Sequence, residues 1–277
     1  MIREELIYKT VGDLEIKMDI YRQADPTAPM MLYIHGGALI WGSRRDITSR
    51  HIQTFYDAGF TLCSMDYRLA PETKIDAIIQ DVRDAITYLR HEAPDVSLSV
   101  VGGSAGGYLS LMCGTFSVRP DRIVSLYGYG DILAEWYNTP NEYYNSFHHV
   151  TEEEAMASVG DHEIAEGDRK RFNDYLRCRQ QGNWVSHVAG ENRSLEELRG
   201  FCPIHCIDAD YPPTLLIHGD KDKDVPYEAS VRMHDALVEH GVKSRLMTVE
   251  GQGHAFDYME GDGVTYKVLS EVCVFCK

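Results

Sequence analysis

The sequence has no apolar run long enough to cross a membrane and no excess of basic residues. A membrane-spanning helix needs about 18 or more consecutive apolar residues, which no segment of this chain provides. The 27 Lys and Arg residues are outnumbered by 43 Asp and Glu residues, which gives a net charge of −16. Because nucleic-acid binding requires clustered positive charge, this balance argues against nucleic acid as a partner.

The first residues also lack the basic start and apolar run of a secretory signal, so we expect a cytoplasmic location. Seven cysteines, an odd number, then predict reduced thiols and not a disulfide framework. Cys202, Cys206, Cys273 and Cys276 could be read as four zinc ligands. Neither pair has the turn-rich surroundings of a zinc knuckle, so buried thiols and no metal are the favoured interpretation.

A glycine-framed serine is the most informative feature that is present. The apolar residues Val100 and Val101 lead into Gly102, Ser104 and Gly106, and a helical pattern follows. This G-x-S-x-G arrangement is typical of a sharp turn between a strand and a helix that exposes a nucleophilic hydroxyl. The motif is short enough to occur by chance, so its interpretation depends on the rest of the chain.

Three further motifs stand in a consistent order along the sequence. The apolar run at 29–34 ends in His-Gly-Gly-Ala at 35–38, where paired glycines let backbone N–H groups approach a ligand. The strand-like run at 213–217 leads into His-Gly-Asp-Lys-Asp-Lys-Asp-Val-Pro at 218–226, and the run at 245–249 precedes His254. Serine, aspartate and histidine thus occur in the order known for one of the serine-triad folds.

With these motifs the chain resembles the α/β-hydrolase superfamily, in its small carboxylesterase and lipase-like branch with an H-G-G oxyanion motif. The segment Asp-Tyr-Arg-Leu-Ala-Pro-Glu at 66–72 is similar to a segment of that branch, and 218–226 is similar to its acid loop. The resemblance covers most of the chain. It implies an α/β fold with a mostly parallel sheet, helices on both faces and no cofactor.

The resemblance assigns the catalytic candidates. Ser104 is the expected nucleophile, His254 the base and Asp222 the acid, whereas Asp220 and Asp224 are expected to be a solvated, turn-forming pair. His35 is the rival base, but its place before the oxyanion glycines favours a structural role.

The backbone N–H groups expected to form the oxyanion hole belong to Gly36, Gly37, Ala38 and Ala105. Ala38 stands where the family has a third glycine, which changes the shape beside the pocket but keeps the N–H. About thirty residues precede this motif, so we expect the N-terminal cap of hormone-sensitive-lipase relatives to be absent.

Periodicity predicts alternating strands and helices in one domain, 1–277. Alternation at 14–20 predicts a strand paired with 6–9, followed by strands at 30–34, 60–65 and 122–126 and helices near 47–58 and 75–89. This pattern breaks at 131–208, an acidic and aromatic stretch that we expect to form a cap, with helices at 166–179 and 194–199. Its Trp136, Tyr143 and Tyr144 are candidates for substrate binding, although simple packing of the cap is equally consistent with them.

The expected function is a serine esterase that cleaves small esters through an acyl-enzyme. The alternatives are an arylformamidase-like or peptidase-like amide hydrolase, and a non-catalytic binding protein of the same fold. The sequence does not define the acyl group or the alcohol of the substrate. A homo-oligomer is compatible with it.

Overall fold

A single eight-stranded sheet forms the centre of the computed structural model, which describes residues 1–259 and 263–277. The strands are β1 (Arg3–Val11), β2 (Leu14–Tyr21), β3 (Met30–Ile34), β4 (Thr61–Met65), β5 (Leu98–Gly103), β6 (Arg122–Leu126), β7 (Thr214–Gly219) and β8 (Ser244–Val249). Their order in the sheet is β1-β2-β4-β3-β5-β6-β7-β8. β3 to β8 run parallel, and the β1–β2 hairpin joins them antiparallel through β2 and β4.

The central strands are buried on both faces, because helices cover the sheet on each side. Met30, Leu32 and Ile34 of β3 pack into one apolar core, and Met31 and Tyr33 pack into the other. This explains why the parallel strands read as continuous apolar runs and not as alternating ones. The expected mostly parallel sheet with helices on both faces is confirmed.

Residues 3–21 form the hairpin, as the alternation at 14–20 predicts. β1 is longer than the predicted 6–9 and pairs with β2 from Arg3 to Val11, with a bulge between Ile7 and Lys9. Gly12 in the connecting turn has a φ of +56°, a left-handed conformation that glycine adopts without steric cost.

The helices are α1 (Ser49–Asp57), α2 (Ile75–Glu92), α3 (Ala105–Met112), α4 (Glu135–Asn138), α5 (Glu142–Asn145), α6 (Glu152–Met156), α7 (Phe172–Gln181), α8 (Trp184–Ala189), α9 (Leu195–Arg199), α10 (Tyr227–Glu239) and α11 (Gly263–Cys276). α2 buries one apolar stripe on the first core, while α1 and α11 cover the opposite face. Within the described residues, no helix is long and apolar enough to cross a membrane.

The segment between β6 and β7, called the insertion below, contains the helices α4 to α9 and covers the stretch 131–208. The helix predicted for 166–179 begins only at Phe172, after a short 3-10 turn at Arg169–Arg171. Glu166 instead extends toward the body and forms an ion pair with the buried Arg44. Glu166 and Gly167 thus contact the body, and the helix begins after them.

Hydrogen bonds to main-chain atoms of the loop after β3 hold the insertion against the body, including one from Arg171 to the Ile40 carbonyl oxygen at 2.6 Å. Gly42 and Gly167 exchange hydrogen bonds in an isolated bridge, with N···O distances of 2.7 and 3.0 Å. The buried Trp184 of α8 donates its indole N–H to the carbonyl oxygen of Ala38 at 3.0 Å. The insertion is thus held against the same loop that carries the His-Gly-Gly-Ala motif.

Candidate active site

Ser104 stands at a sharp turn between β5 and α3. Its backbone has φ 57° and ψ −121°, a combination that non-glycine residues seldom adopt and that stores strain at a functional site. A Cβ at Gly102 would collide with the carbonyl of Gly106, and a Cβ at Gly106 would collide with the carbonyl of Ile34. Only glycines at both positions allow the strand to pass this closely into the helix.

Asp222 lies three residues beyond the end of β7, and both of its carboxylate oxygens are used. Oδ1 accepts the backbone N–H groups of Asp224 at 2.8 Å and Val225 at 3.0 Å. Oδ2 lies 2.7 Å from Nδ1 of His254 and 3.1 Å from Nε2 of His218. The carboxylate is therefore buried but fully hydrogen-bonded.

His254, in the loop after β8, connects this carboxylate to the serine. Its Nε2 is 3.0 Å from Oγ of Ser104, so a tautomer with the proton on Nδ1 donates to Asp222 and accepts from the hydroxyl. The ring packs edge-on against Tyr127, with centroids 4.7 Å apart. This is the geometry by which a base takes a serine proton while a carboxylate holds the base.

Electrostatics support the same assignment of proton positions. Burial acts to raise the pKa of Asp222, but hydrogen bonds from His218 and His254 lower it below its usual value. Burial acts to lower the pKa of His254, but the charge of Asp224 and the hydrogen bond to Asp222 raise it above its usual value. Asp222 is thus ionised at neutral pH, and His254 is a stronger base than an isolated imidazole.

His218 was missed as a site residue by the sequence analysis. Its ring is fully buried, with Nδ1 2.7 Å from Oγ of Ser230 and Nε2 3.1 Å from both Asp222 and the carbonyl of Val225. If Ser230 donates to Nδ1, the Nε2–H points at Asp222 and supports its carboxylate. The motif at 218–226 contains this histidine, so its place beside the acid was a usable signal.

The loop after β3 passes directly over the serine. Gly36, Gly37 and Ala38 line the same cavity as Ser104, and Ala105 is the first residue of α3. Gly37 has a φ of +98°, and Ala38 a φ of +55° despite its side chain. Trp184 fixes Ala38 through its carbonyl, so the strained loop is held by the insertion.

The cavity at Ser104 has a volume of about 420 Å³. It is lined on one side by the loop after β3 and by His254, and on the other by three residues from the insertion, Arg169, Phe172 and Tyr175. A pocket of this size suits a small organic ligand.

The aromatic residues predicted to bind substrate are not among those that line this cavity. Among the described residues, the cavity lining does not include Trp136, Tyr143 or Tyr144. Trp136 stacks on Tyr137 with centroids 3.8 Å apart, Tyr144 is buried, and Tyr143 is 40% exposed. These three rings pack the insertion, and other aromatic residues of the same segment reach the cavity.

The expectation of a solvated Asp220–Asp224 pair is wrong for Asp224. Its side chain is only 17% exposed, lines the cavity and accepts hydrogen bonds from Tyr175 and Arg179. Its Oδ2 lies 3.5 Å from Nε2 of His254. Asp220 lies in the turn after β7, and its Oδ1 accepts the N–H of Gly251, 31 positions along the chain, at 2.6 Å.

His35, the rival base, has a structural position. It is fully buried and stacks on Tyr67 with centroids 4.2 Å apart. Its Nδ1 lies 2.8 Å from the carbonyl oxygen of Gly36, and burial lowers its pKa to about 4. A neutral ring in this place supports the backbone of the loop that follows it.

The four cysteines considered as zinc ligands are not brought together. Cys202 packs in the core with α2 and α3, whereas Cys273 and Cys276 pack in the opposite core. All seven cysteines are free thiols, and only Cys206 is not fully buried. Asp174, Cys178 and His187 have potential ligand atoms within 4.8 Å of one another, but the 2.9 Å contact between His187 and Asp174 is an ordinary hydrogen bond.

Curated relatives align with nearly the whole chain but are far longer. 5-Methylorsellinic acid synthase of Aspergillus terreus is 29% identical over 97% of this chain, and non-reducing polyketide synthase Preu3 of Preussia isomera is 28% identical over 98%. The chain spans 13% of the length of each of these relatives. It is therefore similar to one part of a large multidomain protein.

Solved structures share the fold from end to end. A protein of unknown function from Staphylococcus aureus subsp. aureus Mu50 has 25% identity and a TM-score of 0.83 over 100% of this chain and 98% of its own. Thermogutta terrifontis esterase 2 has 20% identity and a TM-score of 0.69, with coverages of 99% and 92%. The acetyl ester-xyloside bifunctional hydrolase of Caldicellulosiruptor lactoaceticus has 18% identity and a TM-score of 0.72, with coverages of 98% and 93%.

The BD-FAE family model matches residues 18–237, which include the second half of β2, the strands β3 to β7, the serine turn and the acid loop. This is well over half of the chain. The protein therefore belongs to the BD-FAE family, a family of α/β-hydrolase-like domains with an esterase-like fold.

Proposed function

We propose that this protein is a serine hydrolase that cleaves small carboxylic esters through an acyl-enzyme on Ser104. The observation that carries the proposal is the unbroken relay from Ser104 Oγ to His254 Nε2 at 3.0 Å and from His254 Nδ1 to Asp222 Oδ2 at 2.7 Å. The relay opens into a cavity of about 420 Å³. A binding protein of the same fold has no need of such a relay.

In acylation, His254 takes the hydroxyl proton of Ser104 as Oγ attacks the ester carbonyl carbon. The backbone N–H groups of Gly37, Ala38 and Ala105 are assigned to the oxyanion that forms. His254 then returns the proton to the alcohol oxygen as the C–O bond breaks. In deacylation the same imidazole activates a water molecule, the acid is released and Ser104 regains its proton.

The names of similar proteins support ester chemistry but do not define the substrate. Two solved structures of the same fold are named an esterase and an acetyl ester-xyloside hydrolase. Curated relatives include polyketide synthases, and this chain aligns with 13% of the length of each of the two named above. An arylformamide or peptide bond remains the alternative substrate, because the same relay attacks amides.

The experiment compares wild type with Ser104→Ala on esters of increasing acyl length and on an aryl formamide. We expect hydrolysis of short esters by wild type and a loss on the order of 10⁶ in turnover for the variant. Ser49→Ala, an exposed serine at the start of α1, is the matched control and is expected to leave the rate unchanged. A Ser104→Ala protein that keeps a tenth of the wild-type turnover would rule out the assignment.

A further inference from the structure

A second carboxylate lies beside the histidine of the proposed triad. Asp222 contacts Nδ1 of His254, and Asp224 Oδ2 lies 3.5 Å from Nε2, the other nitrogen of the ring. Asp224 also lines the cavity. His254 is thus placed between two aspartates of one loop, and the proposed mechanism uses only the first.

Asp224 is held in place by α7 of the insertion. Arg179 donates from Nη1 to Asp224 Oδ1 at 2.8 Å, and from Nη1 and Nη2 to the Asp224 carbonyl oxygen at 3.1 Å. Tyr175, one turn earlier on α7, donates its hydroxyl to the same Oδ1. Four donor contacts therefore fix the side chain and the backbone of Asp224 together.

Arg179 itself is fully buried, and aromatic rings surround its guanidinium. Its central carbon lies between 4.9 and 5.6 Å from the ring centroids of Trp136, Tyr137, Tyr144 and Tyr175. A guanidinium does not lose its proton in proteins, and a buried charge needs a partner. This arrangement pairs the buried charge of Arg179 with Asp224 and fixes the direction of the Asp224 carboxylate.

We propose that Asp224, clamped by Arg179 of the insertion, is a positioning residue that stabilises the protonated imidazole of His254 during catalysis. The inference rests on the proposed function. At 3.5 Å the carboxylate is beyond hydrogen-bond distance, so Nε2 stays available to Ser104 and to the departing alcohol. It is still close enough to attract the positive charge that His254 carries after it takes the proton.

The other groups around His254 do not replace Asp224. Asp222 is engaged at Nδ1, and the Tyr127 ring faces the imidazole edge-on. Asp257, the third carboxylate that raises the pKa of His254, accepts hydrogen bonds from Tyr127 and His51 in the core below. Among the described residues around the His254 ring, Asp224 is the one whose carboxylate lies next to Nε2.

The direction in which Asp224 shifts the pH profile depends on which protonation form of His254 is active. Only the neutral imidazole accepts the Ser104 proton, so activity is lost as pH falls through the pKa of His254. The charge of Asp224 raises that pKa. Removing the charge with Asp224→Asn is expected to move the acid limb of the pH profile to lower pH and to reduce kcat roughly tenfold, because the imidazolium is less stable.

The test measures two rates against pH in wild type, Asp224→Asn, Asp224→Glu and Glu228→Gln. One is the rate of Ser104 labelling by a fluorophosphonate, and the other is kcat/KM for a short ester. Glu228→Gln is the matched control, since it removes an exposed carboxylate near the same loop that does not contact His254. We expect both acid limbs to move to lower pH in Asp224→Asn, to return toward wild type in Asp224→Glu and to stay in place in Glu228→Gln.

An acid limb that is unchanged or moves to higher pH in folded Asp224→Asn would overturn the inference. If the amide prevents folding, Asp224→Ser removes the same charge and leaves a hydroxyl for Arg179, so the comparison is made with that variant. Failure of the proposed function looks different: Ser104 would then be unlabelled in wild type at every pH.

Discussion

Each oxygen of the Asp222 carboxylate has two hydrogen-bond partners, which distinguishes Asp222 from Asp220 and Asp224 in the same loop. Two backbone N–H groups fix Oδ1, while His254 and His218 share Oδ2. A carboxylate held in this way keeps its charge when buried and holds the imidazole in one tautomer. Asp220, by contrast, is used for the backbone of Gly251.

Asp222→Asn is expected to lower kcat by about 10⁴, because an amide in this position favours the wrong tautomer of His254. Asp224→Asn is expected to cost far less, since its carboxylate acts on the ring without a hydrogen bond. Ester turnover of the two purified variants, with circular dichroism to verify folding, gives the comparison. The reverse ranking would mean that Asp224 is the acid of the triad.

At this scale the sequence predicted the residues that stand in motifs and missed those that depend on the fold. Ser104, Asp222 and His254 are each fixed by a local pattern after a strand, and the structure brings them together. Asp224 was misjudged because its partner Arg179 is 45 positions away in the chain. A local sequence pattern cannot predict an ion pair between residues that far apart in the chain.

Helix α7 is the element that brings the insertion to the cavity. Phe172, Tyr175 and Arg179 are spaced i, i+3 and i+7, so they lie on one face of the helix. The first two line the cavity and the third holds Asp224. The sequence analysis chose aromatic residues by composition and did not use this spacing, which marks α7 as a helix whose face meets the cavity.

Phe172→Ala is expected to change the relative rates across an ester series, with each lost apolar contact worth roughly 1–3 kcal/mol of discrimination. The partly exposed ring lies in the cavity wall, so its removal leaves the core largely intact. Tyr143→Ala is the matched aromatic control, because Tyr143 is 40% exposed and outside the lining. Equal substrate rankings for both variants and wild type would mean that α7 does not shape the substrate pocket.

Among the elements, the sheet was predictable and the insertion was not. Continuous apolar runs predicted the parallel strands, and the 3.6-residue stripe predicted α2. No helix bounds were predicted for α10 or α11. In the insertion, α4, α5, α6 and α9 are only four or five residues long, too short to show a period. Their positions are set by packing around Arg179 and by contacts with the body.

At the scale of the whole molecule, contacts around the serine join the sheet and its loops to the insertion. The Gly42–Gly167 bridge and the Trp184 hydrogen bond hold the loop after β3, and the Arg179–Asp224 ion pair holds the acid loop. Both backbone loops that complete the site therefore depend on residues of the insertion. The strained positive φ angles of Ala38 and Ser104 persist because the surrounding structure fixes them.

The most direct test of Ser104 as an activated nucleophile is mass spectrometry of the protein after reaction with a fluorophosphonate. We expect one adduct per chain, on the peptide that contains Ser104, and no adduct in Ser104→Ala or after acid denaturation. Activation by His254 is what distinguishes this serine from the others, so an unactivated hydroxyl would remain unlabelled. Ester hydrolysis by a wild-type protein that carries no adduct, or carries it on a different serine, would contradict the proposed mechanism.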